Sequence, residues 1–83
     1  MPEHLSPWAR LVHVHLLASG CGVAFEAGGN LPSDVAVHGI AKAMVMPASK
    51  VLAGLKELIG RGFLKEKSTQ FHGLLPVRML FAT

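Results

Sequence analysis

Apolar residues recur every three or four positions between Pro7 and Ser19, and this spacing predicts an amphipathic helix. Ser6 stands before Pro7, which is typical of a helix start because serine caps free amides and proline suits the first helical position. Gly20 is suited to end the helix in a left-handed conformation. The helix is expected to bury one broad apolar face, formed by Leu5, Trp8, Leu11, Val12 and Leu16.

Two more helices are predicted in the middle of the chain. The second is expected to begin after Ser33, and its apolar face is formed by Val37, Ile40, Ala41 and Met44. Pro47 interrupts the pattern because the residue before a proline is disfavoured in helical geometry, and Pro47 itself suits the first turn of a third helix. That helix is expected to end at residues 60–62 and to bury a stripe formed by Val51, Leu55 and Leu58.

The remaining segments are predicted to form strands and turns. Residues 23–26 are a short strand-like run, and residues 27–30 form a turn cluster. Pro76 cannot donate to a β ladder, so it predicts an edge strand or a bulge. A C-terminal hairpin is expected, with a strand, a polar loop and a second strand at 63–67, 68–73 and 74–81. The fold class is therefore expected to be α+β, with three helices, a strand between the first two and this hairpin.

Composition argues against a membrane or secreted protein. The longest apolar region, residues 11–18, is interrupted by two histidines and is far shorter than the roughly 20 residues that span a bilayer. No signal peptide is recognised, and the single cysteine, Cys21, excludes an intrachain disulfide. A cytoplasmic location is therefore expected. Hydrophobic residues make up 51% of the chain, which predicts that some apolar surface meets a partner.

Formal charge is unevenly distributed along the chain. Residues 1–39 carry one base and three acids, whereas residues 40–83 carry seven bases and two acids. The net charge of +3 is therefore the sum of −2 and +5. A basic half indicates a polyanionic partner such as nucleic acid, although a solvated basic surface would give the same count.

The sequence holds no pattern typical of catalysis or metal binding. His13 and His15 are two positions apart on a helix, so they point about 200° apart and cannot share a metal ion. His15 falls on the apolar stripe and is expected to be a buried or half-buried packing residue. Acids are few and scattered, and no cysteine–histidine spacing matches a zinc site. We therefore expect a protein that is not an enzyme and needs no metal or cofactor.

Two segments carry a resemblance to a known superfamily. The run Ile40–Met44 has a small residue, Ala41, after its first apolar position, and the run Leu55–Leu64 reads Leu-x-x-Leu-x-x-x-Gly-Phe-Leu. Their order and spacing resemble the winged helix-turn-helix superfamily, and Leu31-Pro32-Ser33 is similar to the entry of the second helix in GntR-type regulators and replication-initiator domains. This sequence departs from the pattern where a turn residue and a capping serine or threonine are usual, at Val45 and Pro47.

The resemblance implies that residues 1–83 form a single winged helix-turn-helix domain that binds double-stranded DNA, as a transcriptional regulator or a replication or plasmid accessory factor. The third helix would enter the major groove, and the hairpin would lie along the phosphate backbone as a wing. Recognition-helix candidates are Ser49, Lys50, Ala53 and Lys56. Backbone and wing contacts are expected from Lys42, Lys65, Lys67, Gln70, His72 and Arg78.

An alternative partner stays open at this point. The exposed face of the third helix lacks arginine, asparagine and glutamine, the usual readers of base edges. DNA shape is therefore expected to contribute to recognition. The same feature fits a winged helix that binds a protein partner instead of DNA.

The far side of the first helix predicts a homodimer. Val14 and Leu17 lie opposite the predicted core face, beside Arg10 and His13. A monomer would leave both in water, at a cost of roughly 1.5–3 kcal/mol each relative to full burial. A twofold interface through these two residues would place two recognition helices on one face of the DNA, about 34–36 Å apart if they read successive major grooves. Alternatively, Val14 and Leu17 would be covered by another part of a longer parent chain, or by the C-terminal strand near Leu80.

Overall fold

The computed structural model of the protein describes residues 5–26, 31–72 and 75–83, with side chains described outside 67–77. Three helices and three strands follow one another in the predicted order, so the α+β class is confirmed, and their arrangement is compatible with a winged helix. The turn cluster predicted at 27–30 lies outside the described residues. The elements are α1 (Pro7–Ser19), β1 (Val23–Glu26), α2 (Asp34–Met44), α3 (Ala48–Gly60), β2 (Leu64–His72) and β3 (Leu75–Ala82).

Local signals in the sequence place the helix ends. The Ser6 hydroxyl accepts a hydrogen bond from the Ala9 amide at the start of α1, and the Ser33 hydroxyl accepts one from the Ala36 amide at the start of α2. Gly20 ends α1 in the left-handed conformation, with φ of 70°. These predicted caps are confirmed because each satisfies backbone groups that the helix itself leaves open. Pro47 lies one position earlier than expected, at the N-cap of α3 rather than in its first turn.

The three strands form one antiparallel sheet in the order β1-β3-β2. The prediction of a polar loop at 68–73 was wrong for 68–72, because β2 continues to His72 and pairs with Leu75. Backbone hydrogen bonds make the ladder, so polar composition alone did not exclude a strand there. A β-bulge between Glu66 and Ser68 interrupts the register of β2 against β3.

The edge strand predicted from Pro76 was wrong, because Pro76 lies in β3, the central strand of the sheet. Residue 76 pairs with residue 71 of β2, whereas β1 extends along β3 only as far as the pair Glu26–Val77. At Pro76, β3 therefore has one neighbouring strand among the described residues, and the missing amide donor of proline breaks no described ladder. The bulge lies elsewhere, on β2.

The helices and the sheet enclose a single described cluster of buried apolar side chains. It draws on α1, α2, α3 and all three strands, and it consists of Ala9, Val12, Leu16, Val23, Phe25, Val37, Ile40, Val51, Leu55, Leu58, Leu64 and Leu80. His15 is half-buried, as predicted. In the part of the chain that the structure describes, no single helix has the length and apolarity to cross a membrane, and α2 and α3 meet that test only as a pair bent by 112°.

The buried face of α1 differs from the predicted one. Ala9 is fully buried, whereas Leu11 is 53% exposed and Trp8 is half-buried outside the core cluster. The reason is a close crossing of α1 and α3, since a Cβ atom added to Gly54 would lie 3.1 Å from the Ala9 Cα. This approach centres the buried face on Ala9 and turns Leu11 outward.

Candidate nucleic-acid interface

The outward face of α3 carries a narrow stripe of mostly small residues. Ser49, Ala53 and Lys56 are exposed and recur every three or four positions, so they form one line along the helix. The buried stripe of Val51, Leu55 and Leu58 lies opposite. The burial pattern therefore agrees with the helical-wheel prediction for this helix. Because Ser49 and Ala53 are small, a partner could approach the backbone of α3 closely along this stripe.

Lys50 occupies the flank of this stripe that faces α1. Its Nζ atom lies 4.1 Å from the centroid of the Trp8 ring, which is a cation–π distance. Trp8 is half-buried near the N-terminus of α1, while Lys50 is exposed near the N-terminus of α3. The structure therefore ties one predicted DNA-contacting lysine to a residue that had been predicted as core.

Glu57 lies on the same flank, two turns further along α3. Its carboxylate accepts hydrogen bonds from the Ser6 amide and the Ser6 hydroxyl, both at 2.8 Å. These two bonds, from the amide first and then the hydroxyl, together with the positive charge of Arg61, lower the pKa of Glu57. The start of α1 is thus joined to α3 by two hydrogen bonds from Ser6 to the charged carboxylate of Glu57, the one acid on this flank.

The other predicted contact residues fall into three groups. Lys42 on α2 and Lys65 on β2 are exposed. The Nε of Arg78 donates to the Glu66 carboxylate at 3.1 Å across the hairpin, so its charge is shared with an acid. For the remaining candidates the structure describes only the β2 backbone, and their side chains lie outside the described part: Lys67, Gln70 and His72.

The turn between α2 and α3 contains both departures noted in the sequence. Val45 ends α2 in the left-handed conformation, with φ of 52° and ψ of 51°, where glycine is usually favoured. Pro47 caps α3 without any side-chain hydrogen bond. The backbone carbonyl of Pro47 still accepts from the Lys50 and Val51 amides, which fixes how α3 leaves the turn.

The outward face of α1 carries exposed apolar side chains. Leu11, Val14 and Leu17 of α1 are exposed by 53%, 57% and 50%. Nearby, the His13 ring lies 5.2 Å from the Phe63 ring, and its Nε2 atom is 3.0 Å from the Thr83 carbonyl oxygen. Val14 and Leu17 are therefore as exposed as the homodimer prediction requires. Leu11, which was predicted to be buried, is exposed beside them, whereas Leu80 is buried.

Sequence reasoning missed the contacts between α1 and α3. Ser6 and Glu57 are 51 positions apart, and neither residue type signals a pairing over that separation. The only available signal was Gly54 within an apolar stripe, because a residue without a side chain permits a close helix crossing. The described residues contain no group of three or more histidine, cysteine, aspartate or glutamate side chains that could hold a metal ion.

Comparison with known proteins gave no relatives. No family model matches the chain, and neither a curated protein nor a solved structure matches it.

Proposed function

We propose that the protein binds double-stranded DNA as a winged helix-turn-helix, with α3 in the major groove and the β2–β3 hairpin beside the phosphate backbone. The observation that carries this proposal is the outward stripe of α3, where Ser49, Ala53 and Lys56 are exposed. A helix fits the major groove, where lysine and serine can hydrogen-bond to base edges and alanine can touch a thymine methyl group. A cytoplasmic DNA-binding protein of the regulator or accessory type is the form of this proposal that the sequence favours.

Backbone contacts would supply much of the affinity. Lys42, Lys50 and Lys65 are exposed on three elements, and each can neutralise a phosphate and release counterions. Because few side chains on α3 can read bases, the shape and deformability of the DNA would contribute to selectivity. The expected behaviour is strong salt dependence with a modest sequence preference.

A direct test uses fluorescence anisotropy of a labelled duplex at several salt concentrations. Lys56→Ala, and more strongly Lys56→Ala combined with Lys67→Ala, should weaken binding, by about ten-fold or more for the pair. Arg61→Ala is the control for Lys56→Ala, because it removes one equal charge at the end of α3, beyond its exposed stripe, and should leave binding unchanged. If wild-type protein shows no salt-sensitive binding to any duplex, the proposal is wrong.

A protein-binding winged helix is the second candidate, favoured by the apolar surface of Leu11, Val14 and Leu17. Selection of bound sequences from a random duplex library separates the two functions. An enriched motif, or strong binding throughout the library, supports DNA binding. Absence of any duplex retention, together with a stable complex with a protein, supports the second candidate.

We also propose a homodimer through Val14 and Leu17 on the outward face of α1. Leu11, Val14 and Ala18 recur at the three- and four-residue spacing by which two helices pack together. Arg10 is the single formally charged residue within Pro7–Ser19, so a second copy of α1 meets little charge repulsion there. Two copies paired in this way would place their α3 helices on one face of the DNA.

A further inference from the structure

The contact between Trp8 and Lys50 restrains a lysine side chain at the proposed DNA interface. Lys50 lies in the first turn of α3, and its ammonium group lies 4.1 Å from the indole centroid of Trp8 in α1. A free lysine side chain samples many rotamers, and fixing it on binding costs conformational entropy. In this protein the aromatic face already restricts that side chain before a partner arrives.

The position of Lys50 on α3 suits contact with a phosphate backbone rather than with base edges. When a helix lies in the major groove, its central stripe meets base edges and its flanks meet the two phosphate backbones. Lys50 lies about a quarter turn from the stripe of Ser49 and Ala53, on the side where α1 runs. Since an ammonium group has three N–H donors, it can stay over the indole ring and still donate to a phosphate.

We propose that Trp8 is a positioning residue of the DNA interface: it holds the Lys50 ammonium at the α1–α3 border, ready for a backbone phosphate. This inference rests on the proposed DNA binding. It assigns Trp8 no base contact and no contact with DNA of its own. Glu57, the acid on the same flank, is held in its charged form by hydrogen bonds from Ser6 and would repel a phosphate. The proposed phosphate track therefore passes the Lys50 end of α3 and not the Glu57 end.

The test is a double-mutant cycle on binding to a fluorescein-labelled 20-base-pair duplex of random sequence, measured by anisotropy at several salt concentrations. Lys50→Met should weaken binding and lower the slope of log K against log salt by about 0.9, the loss of one phosphate contact. Trp8→Leu should weaken binding by about two- to five-fold, the strength of an exposed cation–π contact, with the slope unchanged. In the Lys50→Met background, Trp8→Leu should have no further effect.

Conservative variants and a charge control complete the design. Trp8→Phe keeps an aromatic face and should retain most of the wild-type affinity. If Trp8→Leu does not fold, Trp8→Met takes its place, because it also removes the aromatic ring. Arg61→Met removes a charge from the Glu57 end of α3, which the proposed phosphate track does not pass, and should leave both the affinity and the slope unchanged. Thermal melting by circular dichroism checks that each variant is folded.

The outcomes separate this inference from the function on which it rests. If wild-type protein binds the duplex but Trp8→Leu binds equally well or more tightly, the positioning role is overturned and DNA binding stands. If Trp8→Leu weakens binding equally in the presence and absence of Lys50, Trp8 acts by another route and the inference is overturned. An unchanged salt slope in Lys50→Met also overturns it. If wild-type protein does not bind, the proposed function fails, and this inference fails with it.

Discussion

Val45 is a β-branched residue in a conformation that suits glycine. Its φ of 52° places it in the left-handed region, and its side chain is 91% exposed, so it gains little packing in return. This conformation costs an L-residue roughly 1–2 kcal/mol, and the cost falls heavily on β-branched side chains. The turn between α2 and α3 therefore holds strain at the point that sets the angle of the proposed recognition helix.

Replacing Val45 by glycine should relieve this strain. We expect Val45→Gly to raise the free energy of unfolding by about 1 kcal/mol and the melting temperature by about 4–8 °C. Ala43→Gly is the matched control, because Ala43 is exposed within α2 and glycine there should lower stability by about 1 kcal/mol. Equal losses of stability in both variants, measured by thermal melting, would show that residue 45 is not strained.

Glu57 makes stability depend on pH in a defined direction. Hydrogen bonds from Ser6 lower its pKa in the folded protein, so its contribution is present above the ordinary glutamate pKa of about 4.3 and is lost as pH falls through the lowered value. Glu57→Gln should therefore reduce stability at pH 7 and lose part of the acid sensitivity below about pH 4. Urea unfolding at pH 7 and at about pH 3 measures this, with Glu26→Gln, which removes an exposed acid from β1, as the control. Identical acid sensitivity in wild type and Glu57→Gln would contradict the assignment.

At the scale of elements, the crossing of α1 and α3 depends on Gly54. A Cβ atom there would lie 3.1 Å from the Ala9 Cα and 3.3 Å from the Ala9 amide nitrogen, whereas a Cβ atom on Gly39 of α2 would meet nothing within 4 Å. The atoms near Gly54 belong to the backbone of a helix, so they cannot move without displacing α1.

These two glycines provide a matched pair of substitutions. Gly39→Ala should stabilise the protein by about 0.5–1 kcal/mol, because alanine has the higher helix propensity. Gly54→Ala has the same propensity gain, but overpacking typically costs about 1–3 kcal/mol, so it should be neutral to destabilising, and Gly54→Val clearly destabilising. Denaturant unfolding of the three variants would reveal the difference, and equal stabilisation by both alanines would mean that the helices do not approach closely.

The elements also show what sequence patterns can and cannot determine. Helix bounds followed from Ser6, Gly20 and Ser33, because a cap acts on amides within a few residues and leaves a local signal. The choice between Ala9 and Leu11 as the centre of the buried face did not follow, because α1 is apolar on both sides and its rotation is set by Gly54, far away in the chain. The outward stripe of α3 was predictable from one helical wheel, whereas the pairing of Lys50 with Trp8 needed the tertiary structure.

At the scale of the whole molecule, the proposed homodimer predicts a mass in solution. Sedimentation at tens of micromolar should show a species of twice the chain mass of 8.8 kDa, because pairing covers the exposed side chains of α1. Val14→Glu combined with Leu17→Glu should return it to the monomer. Val35→Glu is the control, since Val35 is exposed on α2 and its substitution should leave the dimer intact. A clean monomer mass for the wild type would exclude the dimer, and a dimer that survives the double substitution would exclude this interface.

The bulge between Glu66 and Ser68 determines which positions of β2 after residue 67 lie on each side of the sheet. Paired residues of a ladder share one side of the sheet, and β2 pairs Lys65 with Phe81, Ser68 with Met79 and Gln70 with Val77. Because one extra residue is accommodated at position 67, odd-numbered positions before the bulge and even-numbered positions after it belong to the same side. A change of side chain at position 67 preserves that alternation, whereas deletion of the residue inverts it for every later position of β2. The hairpin should therefore tolerate substitution at this site far better than a change in its length.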